Sequence, residues 1–301
     1  DPDYCHIYTV DLSPYIFDAS INGSAGAAKV QSATDSSWRT ILIGGMRLGG
    51  ACRNPASACT DCVKTPVNGG GYSSYFALDI TDNLVDPASN PPVLLWEFSN
   101  ESLGFSTAAP AVVRVGANST NGDWFVVLGS GPTGPINTTD YQFMGRSDQN
   151  LKFFVLDLKT GALLRTIDTG IAYAFAGSML NSTNDSDLDY QDDALYIGYV
   201  KRNSTSPYAW VDGGIGRLFT KEDANPGNWV WSTIMDGIGP VTSSIARLQD
   251  KNNSNLWLYF GTGRFYFDRP TEKDDQSGQR SLFGIKEPCF SYATGLLDPT
   301  C

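Results

Sequence analysis

The residues with the clearest chemical potential form a short acidic stretch in which every second position can offer an oxygen ligand. These positions are Asp185, Asp187, Asp189, Gln191 and Asp193. Calcium takes six to eight oxygen ligands, and a loop can supply them from its positions 1, 3, 5, 7 and 9. The pattern therefore predicts one calcium ion held by four Asp side chains and by the backbone carbonyl of Gln191.

The stretch departs from the EF-hand pattern at two positions. Position 6, which is Gly in an EF-hand because the turn needs a positive φ, is Tyr190 here, and position 12, which is a bidentate Glu, is Tyr196. The missing Glu predicts weak affinity unless water or another loop supplies the absent ligands. The alternative interpretation is an ordinary acidic turn in contact with solvent.

Other chemistries have little support in the sequence, so we expect a protein that is not an enzyme. The chain has one histidine, His6, and its setting between Tyr4 and Tyr8 indicates a strand, not a catalytic triad. The net charge of −11 argues against nucleic-acid binding, which needs clustered Lys and Arg. No apolar run approaches 18 residues, so membrane insertion is not expected.

The six cysteines indicate disulfides and an oxidising compartment outside the cytoplasm. Three of them, Cys52, Cys59 and Cys62, lie in one segment, so at least one must pair outside it if all are oxidised. The others are Cys5, Cys289 and Cys301. Zinc is the alternative, but zinc sites usually take four ligands as two close pairs, and the sequence offers no such arrangement.

The elements that must position the acidic stretch belong to a repeat of short strand-like runs. Each unit has three or four runs rich in β-branched and aromatic residues, separated by turn residues. The clearest runs are 38–45 (WRTILIGG), 75–80 (YFALDI), 93–98 (VLLWEF), 124–129 (WFVVLG), 153–158 (FFVLDL) and 163–167 (LLRTI). Two weaker units contain the runs 194–198, 216–219 and 229–232, and then 240–245, 256–261 and 282–285.

Four such units predict an all-β fold of the β-propeller type, because a four-stranded blade cannot bury its faces alone and packs radially against its neighbours. We expect one domain over residues 1–301, with long surface loops inserted at about 46–74 and 130–150. A β-sandwich or a β-helix is the structural alternative.

Five segments resemble the C-terminal domain of PilY-type proteins of type IV pili, and their order and spacing match along most of the chain. They are residues 6–14 (HIYTVDLSP), 38–45 (WRTILIGG), 75–81 (YFALDIT), 95–98 (LWEF) and 259–264 (YFGTGR). The resemblance implies a modified seven-bladed propeller, although four units are clear in this chain. It also implies a calcium loop in one blade, at the position of the acidic stretch.

In function, the resemblance implies a role at the pilus tip in assembly, retraction, surface adhesion and twitching motility. The implied partners are type IV pilus subunits and host or abiotic surfaces. The implied location is the cell surface, reached by export through the periplasm. Two alternatives remain open. One is a quinoprotein-like dehydrogenase, since residues 157–161 (DLKTG) are similar to its blade turns, and the other is a carbohydrate-binding propeller.

Overall fold

The chain folds into four antiparallel β-sheets, as the computed structural model shows. The structure describes residues 10–32, 36–49, 72–133, 144–250, 255–268, 273–275, 279–291 and 293–301. Cys5, Cys52, Cys59, Cys62 and His6 lie outside the described residues, as do the central parts of the two predicted insertions.

The sheets follow one another along the chain. The first contains β1 (Tyr15–Ala19), β2 (Arg39–Gly45), β3 (Ser74–Asp79) and β4 (Val93–Ser99). The second contains β5 (Ala111–Val115), β6 (Asp123–Gly129), β7 (Lys152–Asp157) and β8 (Leu163–Asp168). The third contains β9 (Ala174–Ala176), β10 (Thr183–Asn184), β11 (Ala194–Lys201), β12 (Asp212–Phe219) and β13 (Val230–Asp236). The fourth contains β14 (Ala246–Asp250), β15 (Asn255–Gly261) and β16 (Leu282–Lys286). The described helix is one 3₁₀ turn, Pro226–Asn228.

Three hydrophobic clusters lie between successive sheets, because the inner strands carry apolar side chains on both faces. On β7, Phe154 packs toward the first sheet, while its neighbour Phe153 packs toward the third. On β11, Leu195 faces the second sheet and Tyr196 faces the fourth. Adjacent residues of a strand point to opposite faces, so an inner strand must be apolar at nearly every position.

This arrangement confirms the predicted all-β, propeller-like class, and the four predicted units correspond to the four sheets. The described part of the chain thus holds four sheets, and it does not confirm the seven blades that the resemblance implies. Within the described residues, no helix is long and apolar enough to span a membrane.

The first strand of the fourth unit was predicted wrongly at residues 240–245. The strand β14 begins at Ala246, and Val241 makes an isolated parallel bridge to Gly263. Val241 is fully buried in the cluster between the third and fourth sheets. Its apolar side chain therefore serves the packing of two sheets and does not mark a strand of the fourth.

One disulfide joins Cys289 to Cys301 across 12 residues, with a Cα–Cα distance of 5.6 Å. Cys289 is buried at the end of the fourth sheet, where the guanidinium of Arg217 from β12 donates to its Sγ atom. Arg217 also forms an ion pair with the buried carboxylate of Glu287. Because Arg217 lies on the third sheet and Glu287 follows the last strand of the fourth, this ion pair joins the two sheets beside the disulfide. The expected disulfide chemistry is confirmed for these two cysteines.

Candidate metal centre

The acidic stretch forms the connection between β10 and β11. Its ends are held together because Asn184 pairs with Ala194 in the ladder and the backbone N–H of Asp193 donates to the carbonyl of Asn184 at 2.8 Å. The stretch is therefore a closed loop at one end of a buried strand, as its position before the apolar run at 194–198 suggested.

Two overlapping groups of carboxylates converge within this loop. Oxygen atoms of Asp185, Asp187 and Asp193 lie within 4.8 Å of one another, and the same holds for Asp187, Asp189 and Glu222. All four predicted Asp residues thus take part in a convergent oxygen cluster, and Asp187 belongs to both groups.

Glu222 was not predicted as a site residue. It lies in the turn between β12 and β13, and it reaches the acidic loop because Ala194 at the start of β11 pairs with Phe219 at the end of β12. Because Glu222 lies outside the continuous acidic stretch, the alternating pattern of that stretch could not identify it. The signal in the sequence was the acidic pair Glu222-Asp223 following the strand that pairs with 194–198. Glu222 supplies a carboxylate from outside the loop, which is what the absent position-12 Glu would have supplied from within it.

The loop backbone is folded around its own carboxylates. The carboxylate of Asp185 accepts from the backbone N–H groups of Leu188 at 2.6 Å and Tyr190 at 2.9 Å. Two residues take positive φ angles, Leu188 at 66° and Tyr190 at 74°. The left-handed turn expected at position 6 is therefore present although the residue is Tyr, at a cost of about 1–2 kcal/mol.

Gln191 links the loop to its surroundings through its side chain. Its Oε1 accepts from the backbone N–H of Gly116 at 2.7 Å, and its Nε2 donates to Asp189 at 2.7 Å and to Glu222 at 2.8 Å. These contacts hold Glu222 against the loop. Coordination by the backbone carbonyl of Gln191 stays a prediction.

Burial, and then the charge of neighbouring carboxylates, raises the pKa of three groups of this site, Asp187, Asp193 and Glu222. Burial, followed by the charge of Asp189, raises the pKa of Glu222 to about 7. The pKa of Asp187 is raised by burial and then by Asp189 and Asp193, and burial also raises the pKa of Asp193. A dication would reverse these shifts because it favours the charged form of every carboxylate around it.

A buried arginine fastens the loop to the second sheet. The Nη1 atom of Arg114, on β5, donates to the carbonyl of Tyr190 at 2.6 Å. The backbone N–H of Arg114 donates to the carboxylate of Asp192 at 2.8 Å, and the backbone N–H of Asp192 donates back to the carbonyl of Arg114. Burial raises the pKa of Asp192 to about 6.

The loop also contacts the first and fourth sheets. From β14, the side-chain amide of Gln249 donates to the carbonyl of Ser186 at 2.7 Å. From the connection between β1 and β2, the ammonium of Lys29 lies 5.9 Å from the ring centroid of Tyr190. The loop therefore touches elements belonging to all four sheets.

The donor set fits a hard cation. Five carboxylates from two connections form two overlapping groups of three, and oxygen is the ligand type that calcium prefers. Calcium, when bound, would neutralise the repulsion among these groups.

Comparison with known proteins gives matches along nearly the whole chain. The type IV pilus biogenesis factor PilY1 of Pseudomonas aeruginosa is 26% identical over 301 aligned residues, which cover 93% of this chain and 21% of that protein. A PilY1 homolog of Xylella fastidiosa is 24% identical over 315 aligned residues, covering 95% of this chain and 16% of that protein. The chain thus spans about a fifth of the length of these relatives. No family model matches the chain.

A solved structure shares the fold. The crystal structure of the Pseudomonas aeruginosa PilY1 C-terminal domain superposes with a TM-score of 0.57 at 22% identity, covering 92% of this chain and 49% of that one. This confirms the resemblance seen in the sequence. Over more than nine-tenths of its length, the chain is similar in sequence to PilY1-type pilus biogenesis factors and in fold to the PilY1 C-terminal domain.

Proposed function

We propose that this chain is a non-enzymatic, calcium-binding module of a type IV pilus tip-associated protein. In this proposal it acts at the cell surface in pilus assembly and retraction, surface adhesion and twitching motility, with pilus subunits as its partners. The pilus role is supported by the relatives, which carry the name of pilus biogenesis factors. The observation that supports calcium most directly is the convergence of Asp185, Asp187, Asp189 and Asp193 with Glu222 from another connection.

The structure also suggests what calcium would do. The loop is joined to the second sheet by Arg114 and to the fourth by Gln249, so its conformation and the packing of neighbouring sheets depend on each other. A bound cation would stabilise the loop in the conformation that makes these contacts. By mass action, calcium at a hundredfold excess over its dissociation constant would stabilise the fold by about 2.7 kcal/mol.

The test compares Glu222→Gln with the unmutated chain by calorimetric titration and thermal melting, in calcium and in chelator. Gln keeps the shape of Glu but loses the charge, so we expect calcium affinity to fall about tenfold, which corresponds to about 1.4 kcal/mol. Asp187→Ala combined with Asp189→Ala should abolish binding without unfolding the domain. Magnesium should stabilise the unmutated chain less than calcium does.

Glu97→Gln is the matched control, because Glu97 is exposed on β4 of the first sheet. It should bind calcium as the unmutated chain does. The calcium proposal is wrong if the unmutated chain gives no binding heat at millimolar calcium and melts at one temperature in calcium and chelator. The pilus proposal is tested separately by co-purification of the full-length protein with sheared pili, and absence from that fraction would contradict it.

A further inference from the structure

A cavity of about 400 Å³ opens at one edge of the first sheet, away from the metal loop's carboxylates. Its wall is formed by Asp18 near the end of β1, by Arg39 and Thr40 at the start of β2, and by Thr81 in the turn after β3; Trp38 also lines it. Sites for small molecules have volumes of about 300–1,000 Å³, so the cavity has room for one small ligand.

The polar side chains of the wall are held in place by one another. The hydroxyl of Thr40 donates to Asp18 at 2.7 Å, and the backbone N–H of Thr40 donates to the hydroxyl of Thr81 at 2.8 Å. Arg39 is fixed by its Nε atom, 3.4 Å from Asp79, and by its Nη1 atom, which donates to the carbonyl of Trp38 at 2.9 Å. These groups need not reorganise when a ligand binds, which lowers the cost of binding.

Two groups of the wall keep unused hydrogen-bonding capacity. The second carboxylate oxygen of Asp18 and the Nη2 group of Arg39 make no hydrogen bond to any residue within the described part of the chain. An ionised carboxylate only accepts and a guanidinium only donates. The residues that line the cavity thus keep one free acceptor and one free donor, beside the indole of Trp38.

These features determine the chemical class of the ligand. An anion would be repelled by Asp18, and a cation would leave the free donor of Arg39 without an acceptor. A neutral molecule with neighbouring hydroxyl groups satisfies both, because a hydroxyl donates to the carboxylate while another accepts from the guanidinium. An aromatic face beside such polar groups suits a ligand with an apolar C–H face. We propose that this cavity binds a neutral saccharide unit, with Asp18 and Arg39 recognising hydroxyls and Trp38 packing against the ring.

This site is independent of the calcium loop in its ligand chemistry, and it does not rest on the proposed pilus function. The two sites are nevertheless neighbours, since Lys29 lies 5.8 Å from the ring of Trp38 and 5.9 Å from the ring of Tyr190. The test is therefore done both in calcium and in chelator, so that the outcome does not depend on the metal.

The experiment titrates the chain with glucose, galactose, mannose and N-acetylglucosamine, and with glucuronate and glucosamine as charged comparators. Binding is followed by calorimetry and by tryptophan fluorescence. We expect at least one neutral sugar to bind with a dissociation constant on the order of 1 mM. Its charged comparators should bind more weakly. Asp18→Asn and Arg39→Gln should each weaken binding about tenfold, and Trp38→Leu should abolish it.

Trp257→Leu is the matched control, because Trp257 is a partly exposed indole on β15 of the fourth sheet, outside the cavity. It should leave sugar binding unchanged. Asp18 is exposed, so its variant keeps the test valid even if Trp38→Leu fails to fold. The proposal is overturned if no neutral sugar binds, if a charged comparator binds more tightly than every neutral sugar, or if Asp18→Asn binds as the unmutated chain does.

Discussion

Asp187 lies in both groups of convergent carboxylates, so its charge is close to those of Asp185 and Asp193 and also to those of Asp189 and Glu222. Four of these five residues could be recognised from their alternating positions in the sequence. Glu222 could not, because strand pairing and not sequence spacing brings it to the loop. A continuous motif reveals the ligands it contains, whereas the ligand that completes it can come from an adjacent hairpin.

The raised pKa values predict an unusual pH dependence for the metal-free protein. Burial raises the pKa of Asp192 to about 6 in the fold, against 3.8 in the unfolded chain. The folded state therefore holds this proton more tightly. The stability that Asp192 contributes is fully present below about pH 4 and is lost as the pH rises through about 6.

In chelator, the free energy of unfolding of the unmutated chain should consequently fall relative to that of Asp192→Asn as the pH rises from about 4 to 7. Urea denaturation at several pH values measures this difference. Asp168→Asn, an exposed substitution on β8, serves as the control. A difference between Asp192→Asn and the unmutated chain that stays constant with pH would contradict the prediction.

At the scale of elements, the apolar runs identified the longer strands because a strand with both faces buried is apolar throughout. The short strands β9 and β10 have three and two residues, and no periodicity can identify segments of that length. The error at 240–245 has a related cause, since Val241 is apolar for packing against the third sheet and not for pairing in the fourth. An apolar residue indicates a buried position, and a buried position need not belong to a strand.

The contact of Val241 with β11 gives a prediction about close packing between the third and fourth sheets. A Cβ atom at Gly198 would collide with the side chain of Val241 and would lie 2.8 Å from its carbonyl oxygen. Gly198 is in the middle of β11, paired with Ile215, so the strand has little freedom to move away. We expect Gly198→Ala to destabilise the fold by about 1–3 kcal/mol.

Equilibrium denaturation in urea measures this change. Gly26→Ala is the matched control, because a Cβ atom at Gly26 would meet no atom within 4 Å. It should change stability by less than about 0.5 kcal/mol, as surface substitutions usually do. A Gly198→Ala variant as stable as the Gly26→Ala variant would show that the two sheets are not packed as closely as described.

At the scale of the whole molecule, four sheets are joined in series by three hydrophobic clusters. The sequence predicted this order because each unit repeats the same succession of short strands. It could not predict which connection would touch the other sheets, because that depends on how the sheets are oriented once packed. The acidic loop contacts the other sheets through Lys29, Arg114 and Gln249.

These contacts have a consequence for the order of events in folding. The bond from Arg114 to Tyr190 spans 76 residues, and the bond from Gln249 to Ser186 spans 63. Closing chain segments of this length costs conformational entropy before the contacts repay it. We therefore expect the loop to reach its final conformation late, after the transition state for folding.

A cation that binds only the completed loop should then slow unfolding and leave the folding rate nearly unchanged. Stopped-flow measurements in calcium and in chelator separate the two rates. If calcium instead accelerated folding by as much as it is expected to slow unfolding, the loop would be organised before the transition state. In the expected case, calcium governs the lifetime of the folded protein and not the speed of its formation.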